Sequence, residues 1–432
     1  MLNRVSHRKG LNMNTFDNLS RRHFLGTGTV LGLSGISAFA ADKNSLVKSI
    51  EQQTLWTNRD GKSLTWFHPR PCLVPQENDK PFILMTLQEI SGSDYFGPVH
   101  WVQSHDLGKT WGEPELIDGF DRRDVPGYEG LKEGVCDVVP QYHPNTETTL
   151  ALGHCVFYRG QHFSRTDQLS RFPMYCVRNA DGTWSDRKQL KWDDPRGSYI
   201  YTNNCGQRVV LPNGDILLAF TFGPEANGRM VAGVRCGYDG ENLTIKEVGP
   251  PIIHKIKRGL LEPSMTAYQG RYYMTIRAED DRGYVSVSDD GLHWEKKKPW
   301  TWDNGEPLDM STTQQHWLTH SKGLYLVYTR KADHNTNVIR WRAPLWMAKV
   351  DVEKRVLLKE TEQIVHPLVG DGVAKPDDVA LMGNFHVVNA SADQSWVTVG
   401  EWMPRREARG NTLLARIHWS QPNDILAIAK HS

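Results

Sequence analysis

Arg277 ends the apolar run Tyr272-Tyr273-Met274-Thr275-Ile276, and Arg340 and Arg342 lie in Val338-Ile339-Arg340-Trp341-Arg342-Ala343-Pro344-Leu345. A guanidinium grips a carboxylate or sulfate through two parallel hydrogen bonds that lysine cannot reproduce, so these positions suit an acidic ligand. They also suit internal ion pairs with near neighbours such as Glu279 or Asp280. The polar run Ser311-Thr312-Thr313-Gln314-Gln315-His316-Trp317 adds Gln315, His316 and Trp317, which fit hydroxyl recognition and stacking on a sugar ring. A hydrogen-bonded hairpin entry is the other reading of that run. His143, His154 and His162 crowd one segment without tight ligand spacing, and the six cysteines contain no C-x-x-C. No metal centre and no cofactor are therefore expected. Cys155 and Cys176 could pair across neighbouring strands; buried free thiols are the alternative.

Such residues need rigid elements to aim them, and the chain supplies a repeat. An apolar run, a short polar turn and a second apolar run recur six times between residues 72 and 399. The units are 72–85, 138–152, 208–220, 265–276, 317–328 and 386–399. The third is the sharpest, with Pro212-Asn213-Gly214-Asp215 between Arg208-Val209-Val210-Leu211 and Ile216-Leu217-Leu218-Ala219-Phe220. Asn-Gly turns between β-rich runs are hairpin signals because both residues accept positive φ. A spacing of roughly 60 residues suits a four-stranded propeller blade with its loops. The expected fold is all-β, a six-bladed β-propeller with four-stranded antiparallel blades. A second turn type follows the early strands in three of the units. Ser104-His105-Asp106-Leu107-Gly108-Lys109-Thr110-Trp111 fits S-x-D-x-G-x-x-W, and Val287 to Trp294 and Asn179 to Trp184 are relatives. The aspartate closes the turn on backbone N–H groups, glycine takes positive φ, and the tryptophan packs between sheets. Asp106 and Asp289 are accordingly given structural roles only.

Residues 1–40 read as a twin-arginine signal peptide: Ser20-Arg21-Arg22-His23-Phe24-Leu25-Gly26, a mild apolar stretch, then Ala38-Phe39-Ala40 before Ala41. The stretch is too short to span a bilayer. The expected partner is therefore the twin-arginine export machinery, with no stable membrane insertion after cleavage. Residues 41–432 are read as one propeller domain, periplasmic or secreted. A formal net charge of +1 argues against nucleic acid, and 15 tryptophans with 14 tyrosines offer aromatic surface to a glycan or to a core.

These features resemble the sialidase superfamily, whose Asp-box turns follow the S-x-D-x-G-x-x-W pattern. Leu261-Glu262-Pro263-Ser264, followed by Tyr272 to Arg277, looks like the family's E-P-(S/T) strand and its partner arginine. Asn204-Cys205-Gly206-Gln207-Arg208 looks like the segment before it, with Cys205 where a histidine is common. The resemblance implies three arginines around a sugar carboxylate. Arg277 matches the second, and Arg340 or Arg342 is placed like the third. Arg70, in His68-Pro69-Arg70-Pro71, stands near the first but in a shifted register. Asp94 sits like the family's acid/base aspartate, and Glu262 like the glutamate that activates a late tyrosine nucleophile. No tyrosine follows Tyr328, and His386 occupies the sixth unit instead. The implied activity is a glycoside hydrolase releasing a terminal acidic sugar, with Asp94 protonating the leaving oxygen and Glu262 acting as base directly or through His386. Two alternatives stay open. One is a polysaccharide lyase using His154, Tyr158 or His316 as base. The other is a glycan-binding propeller without catalysis.

Overall fold

The computed structural model describes residues 45–75, 81–163, 166–403, 405–406 and 408–425. The twin-arginine segment and its cleavage site lie outside the described residues. Six antiparallel sheets of four or five strands form a six-bladed β-propeller. The inner strands are Trp66–Val74, Leu131–His143, Ile200–Thr202 with Val209–Val210, Leu261–Tyr268, His316–His320 and Phe385–Ser391. Trp66–Val74 packs on Phe385–Ser391 and on Leu131–His143, and His316–His320 packs between Leu261–Tyr268 and Phe385–Ser391. Each of the six repeats read from the sequence is the innermost hairpin of one blade. The long-range closure carries no local signal: Val47–Trp56 pairs with Thr412–Trp419 and completes the sixth blade from the other end of the chain. Among the described residues no helix is long and apolar enough to cross a membrane.

Large apolar side chains fill the wedges between blades. Trp300, Trp317, Tyr273 and Trp346 pack together between the fourth and fifth. The turn tryptophans do the same elsewhere: Trp111 meets Trp396 edge-on at 6.3 Å, and Trp184 meets Trp101 at 6.0 Å. In the first turn, Asp106 accepts the Thr110 N–H at 2.9 Å and the Ser104 hydroxyl at 2.8 Å, while Gly108 takes φ 72°. The second turn differs from expectation by one residue. Asp290, not Asp289, accepts the Leu292 and His293 N–H groups, both at 2.8 Å; Asp289 lies outside and pairs with Arg271. Two adjacent aspartates look alike in sequence, but strand register puts only one carboxylate under the turn. All six cysteines are buried free thiols, including Cys155 and Cys176.

Candidate active site

Three inner strands share one irregularity near their starts. The ladder slips between Phe67 and Arg70, between Cys136 and Val139, and between Leu261 and Ser264. Within these β-bulges His68, Asp137 and Glu262 adopt φ of 52°, 57° and 44°. A bulge leaves one residue unpaired and re-aims its side chain. A non-glycine residue held there costs about 1–3 kcal/mol. Three strands from three blades thus deliver a polar side chain to the same end of the propeller axis.

On one side of that end lies a cationic group. Arg277 donates through Nη1 to Glu262 Oε1, with side chains 6% and 20% exposed. Its Nε lies 3.4 Å from Thr312 Oγ1. Neighbouring Thr313 donates to the Gly383 carbonyl at 2.8 Å, and Arg342 lies directly on Gly383. A Cβ at Gly383 would stand 2.6 Å from Arg342 Cδ and Nε, so this glycine is required by close approach. Burial first, then the charges of Arg277 and Arg340, push Arg342 down to about 9; Glu262 and Asp94 oppose them. Arg340 is lowered by burial, then by Arg277 and Arg258, with the same two carboxylates opposing. The charges of three guanidinium groups and two carboxylates therefore act on one another in this part of the fold. Asp94 is exposed at the tip of the two-residue turn between Phe82–Gly92 and Tyr95–Ser104, with φ 54°. Of the acids expected as partners for Arg277, Glu279 is taken by Arg258 and Asp280 by His254.

The other side is built on Asp137. Arg70, expected to hold a substrate anion, is 1% exposed and donates instead to Asp137 Oδ1 at 2.5 Å. His68 Nε2 lies 3.6 Å from the same oxygen, and His154 Nδ1 lies 4.0 Å from the other. Burial alone would raise the Asp137 carboxyl, but Arg70, His68 and His154 outweigh it and hold it low. The His68 tautomer follows from Gln88. That amide donates to the Gly97 and Val135 carbonyls at 2.8 and 2.9 Å, so its oxygen is left to accept from His68 Nδ1 at 3.3 Å. His68 Nε2 therefore presents a lone pair towards Asp137. Cys136 Sγ lies 3.5 Å from His154 Nε2, and Cys136, Asp137 and His154 offer three metal-ligating atoms within 4.8 Å of one another.

Several expected contacts fall elsewhere. Trp317 is 1% exposed and donates Nε1 to the Ser264 carbonyl at 2.9 Å, while Gln207 binds its backbone N–H and carbonyl. A ring enclosed between blades offers no face to a sugar. Gln315 is buried under Gly283 and accepts from Thr275, so it too is interior. His316 is fully buried, 3.0 Å from Ser264 Oγ, and burial pushes it down to about 3. Its ring meets His386 at 5.5 Å. His386 is 4% exposed, and burial, then the charges of His316, Arg70 and Arg208, hold it well below its ordinary range. Burial pushes His154 down to about 4, opposed by the charge of Asp137 and, less strongly, of Glu262. Sequence reasoning passed over His68, Asp137 and Arg258. The available signal was an aspartate inside the apolar run Val135-Cys136-Asp137-Val138-Val139.

No protein-family model matches the chain, and no curated protein matches it. Solved structures do. A Dyadobacter fermentans protein of unknown function superposes with TM-score 0.58 at 14% identity, over 86% of this chain and 100% of that one. The Hadza microbial sialidase Hz136 gives 0.59 at 13%, over 85% of this chain and 68% of the other. The Trypanosoma rangeli sialidase gives 0.56 at 14%, over 86% of this chain, which spans 60% of that protein's length. At such identity the likeness is one of fold, and by fold this chain is a sialidase-like six-bladed β-propeller.

Proposed function

We propose that the protein is an exported glycoside hydrolase that releases a terminal acidic sugar, carboxylated or sulfated, from a glycan. The observation that carries the reading is the largely buried Arg277–Glu262 pair, with Arg340, Arg342 and Asp94 in electrostatic reach of it. Three cations outnumber the carboxylates whether or not Asp94 carries its proton, which leaves positive charge for an anionic ligand. In this reading Arg340 and Arg342 bind the sugar's acid group. Arg277 orients Glu262, which takes a proton from water as the water oxygen attacks the anomeric carbon. Asp94, reaching in from its exposed turn, gives its proton to the leaving glycosidic oxygen. The twin-arginine segment supports action outside the cytoplasm. His386 is left out of the proton path because it is 4% exposed and packs against the His316 ring.

Incubation with sialosides and with sulfated and uronate glycans, followed by reducing-end analysis, tests the proposal. Glu262→Gln and Arg277→Ala are expected to lower turnover by about a hundredfold or more. Unchanged turnover in both variants rejects it. The same incubation separates hydrolysis from uronate elimination. A lyase makes a conjugated alkene, which absorbs in the ultraviolet, and hydrolysis does not.

A further inference from the structure

We infer that Cys136, Asp137 and His154 form a binding site for one thiophilic divalent cation of the zinc class. The three donors come from two paired strands, Leu131–His143 and Thr148–Arg159, where Cys136 and His154 are cross-strand partners. In a regular strand Cys136 and Asp137 would point to opposite faces. The bulge between Cys136 and Val139, with Asp137 at φ 57°, turns the carboxylate to the side of the thiol and the imidazole. With the bulge in place the three donor atoms lie within 4.8 Å of one another.

The thiol–imidazole edge suits a tetrahedral ion. A centre about 2.3 Å from sulfur and about 2.0 Å from nitrogen has an S···N edge of about 3.5 Å. Cys136 Sγ and His154 Nε2 are 3.5 Å apart. With Nε2 on the ion, the remaining His154 Nδ1 is buried without a hydrogen-bond partner and lies 4.0 Å from Asp137 Oδ2, the nearest group it could donate to. Asp137 is held from behind by Arg70 on Oδ1, leaving Oδ2 on the His154 side; ligating carboxylates are characteristically hydrogen-bonded at the outer oxygen. A thiolate and a carboxylate balance the ion's two charges. Sulfur, nitrogen and oxygen together select a borderline-soft metal over magnesium or calcium. The Asp137 side chain is 17% exposed, so the donor set is not sealed from solvent.

The test uses the untagged full chain, stripped with chelator and dialysed against cobalt(II) alone and zinc(II) alone. One bound cobalt per chain is expected, with the thiolate-to-cobalt charge-transfer band and the strong visible bands of a tetrahedral site, displaced by zinc. Cys136→Ser should abolish the charge-transfer band, while Cys205→Ser keeps it. Asp137→Asn and His154→Gln should each weaken zinc at least tenfold. Absence of stoichiometric cobalt and zinc from the wild-type chain overturns the site regardless of how the variants fold. So does a charge-transfer band that survives in Cys136→Ser.

Discussion

Asp137→Asn isolates a single electrostatic debt in the propeller. The substitution conserves shape and removes one charge. Arg70 is 1% exposed, and its Nε and Nη1 have no other hydrogen-bond partner, so the Asp137 carboxylate is its compensation. Breaking a buried pair from one side costs about 3–5 kcal/mol, because the remaining charge stays in a poor solvent. The loss should appear in denaturant unfolding followed by tryptophan fluorescence at neutral pH, with chelator present so that no metal contributes. Arg70→Met leaves a carboxylate that is 17% exposed and flanked by His68 and His154, so it should cost less, about 1–3 kcal/mol. The double variant should return to within about 2 kcal/mol of wild type, since replacing both partners of a buried pair is close to neutral. An Asp137→Asn loss below about 1 kcal/mol, or a cycle that is simply additive, would show that Arg70 finds its compensation elsewhere and would refute the reasoning.

Two further outcomes follow from other parts of the fold. Asp290→Ala should destabilise by about 1–2 kcal/mol, because its carboxylate accepts two backbone N–H groups and the Ser288 hydroxyl; Asp289→Ala should stay within about 0.5 kcal/mol, its side chain being 83% exposed. Thermal unfolding of the two variants side by side checks this, and equal losses would mean the turn is not held by Asp290. Burial would raise Glu279, but its hydrogen bond and charge pairing with Arg258 hold it at about 2. A depressed carboxyl stabilises above its unfolded value and loses that contribution as pH falls from about 4.3 through about 2. With Arg258 37% exposed, the contribution is about 1–2 kcal/mol, and Glu279→Gln should flatten the stability–pH curve by that amount in that window.

The β-hairpin repeat was legible because its causes are local. Pro212-Asn213-Gly214-Asp215 turns the chain whatever lies around it, and Gly214 takes φ 82° as that turn requires. Arg277 and Arg342 could also be singled out, since charged residues at or inside apolar runs stand out in one dimension, and Glu262 through its resemblance to the sialidase E-P-(S/T) strand. Their grouping could not. The contact of Arg342 with Gly383 joins the fifth and sixth blades, and no spacing in the chain encodes it.

Trp317 and Arg70 show the limit most plainly. A tryptophan next to a polar run reads the same whether it faces a ligand or a neighbouring blade, and only the fourth blade's Ser264 carbonyl settles which. Arg70 looked free because its partner, Asp137, is 67 residues away. The sequence alone determined the blade count, the hairpins and the residue types available for chemistry, since these depend on alternation and turn propensity over a few residues. Tertiary structure alone decided which charges meet, because bulges in separate blades re-aim His68, Asp137 and Glu262 towards the axis. It also decided closure, because Val47–Trp56 finds Thr412–Trp419 only after the ring of six blades has brought the two ends together.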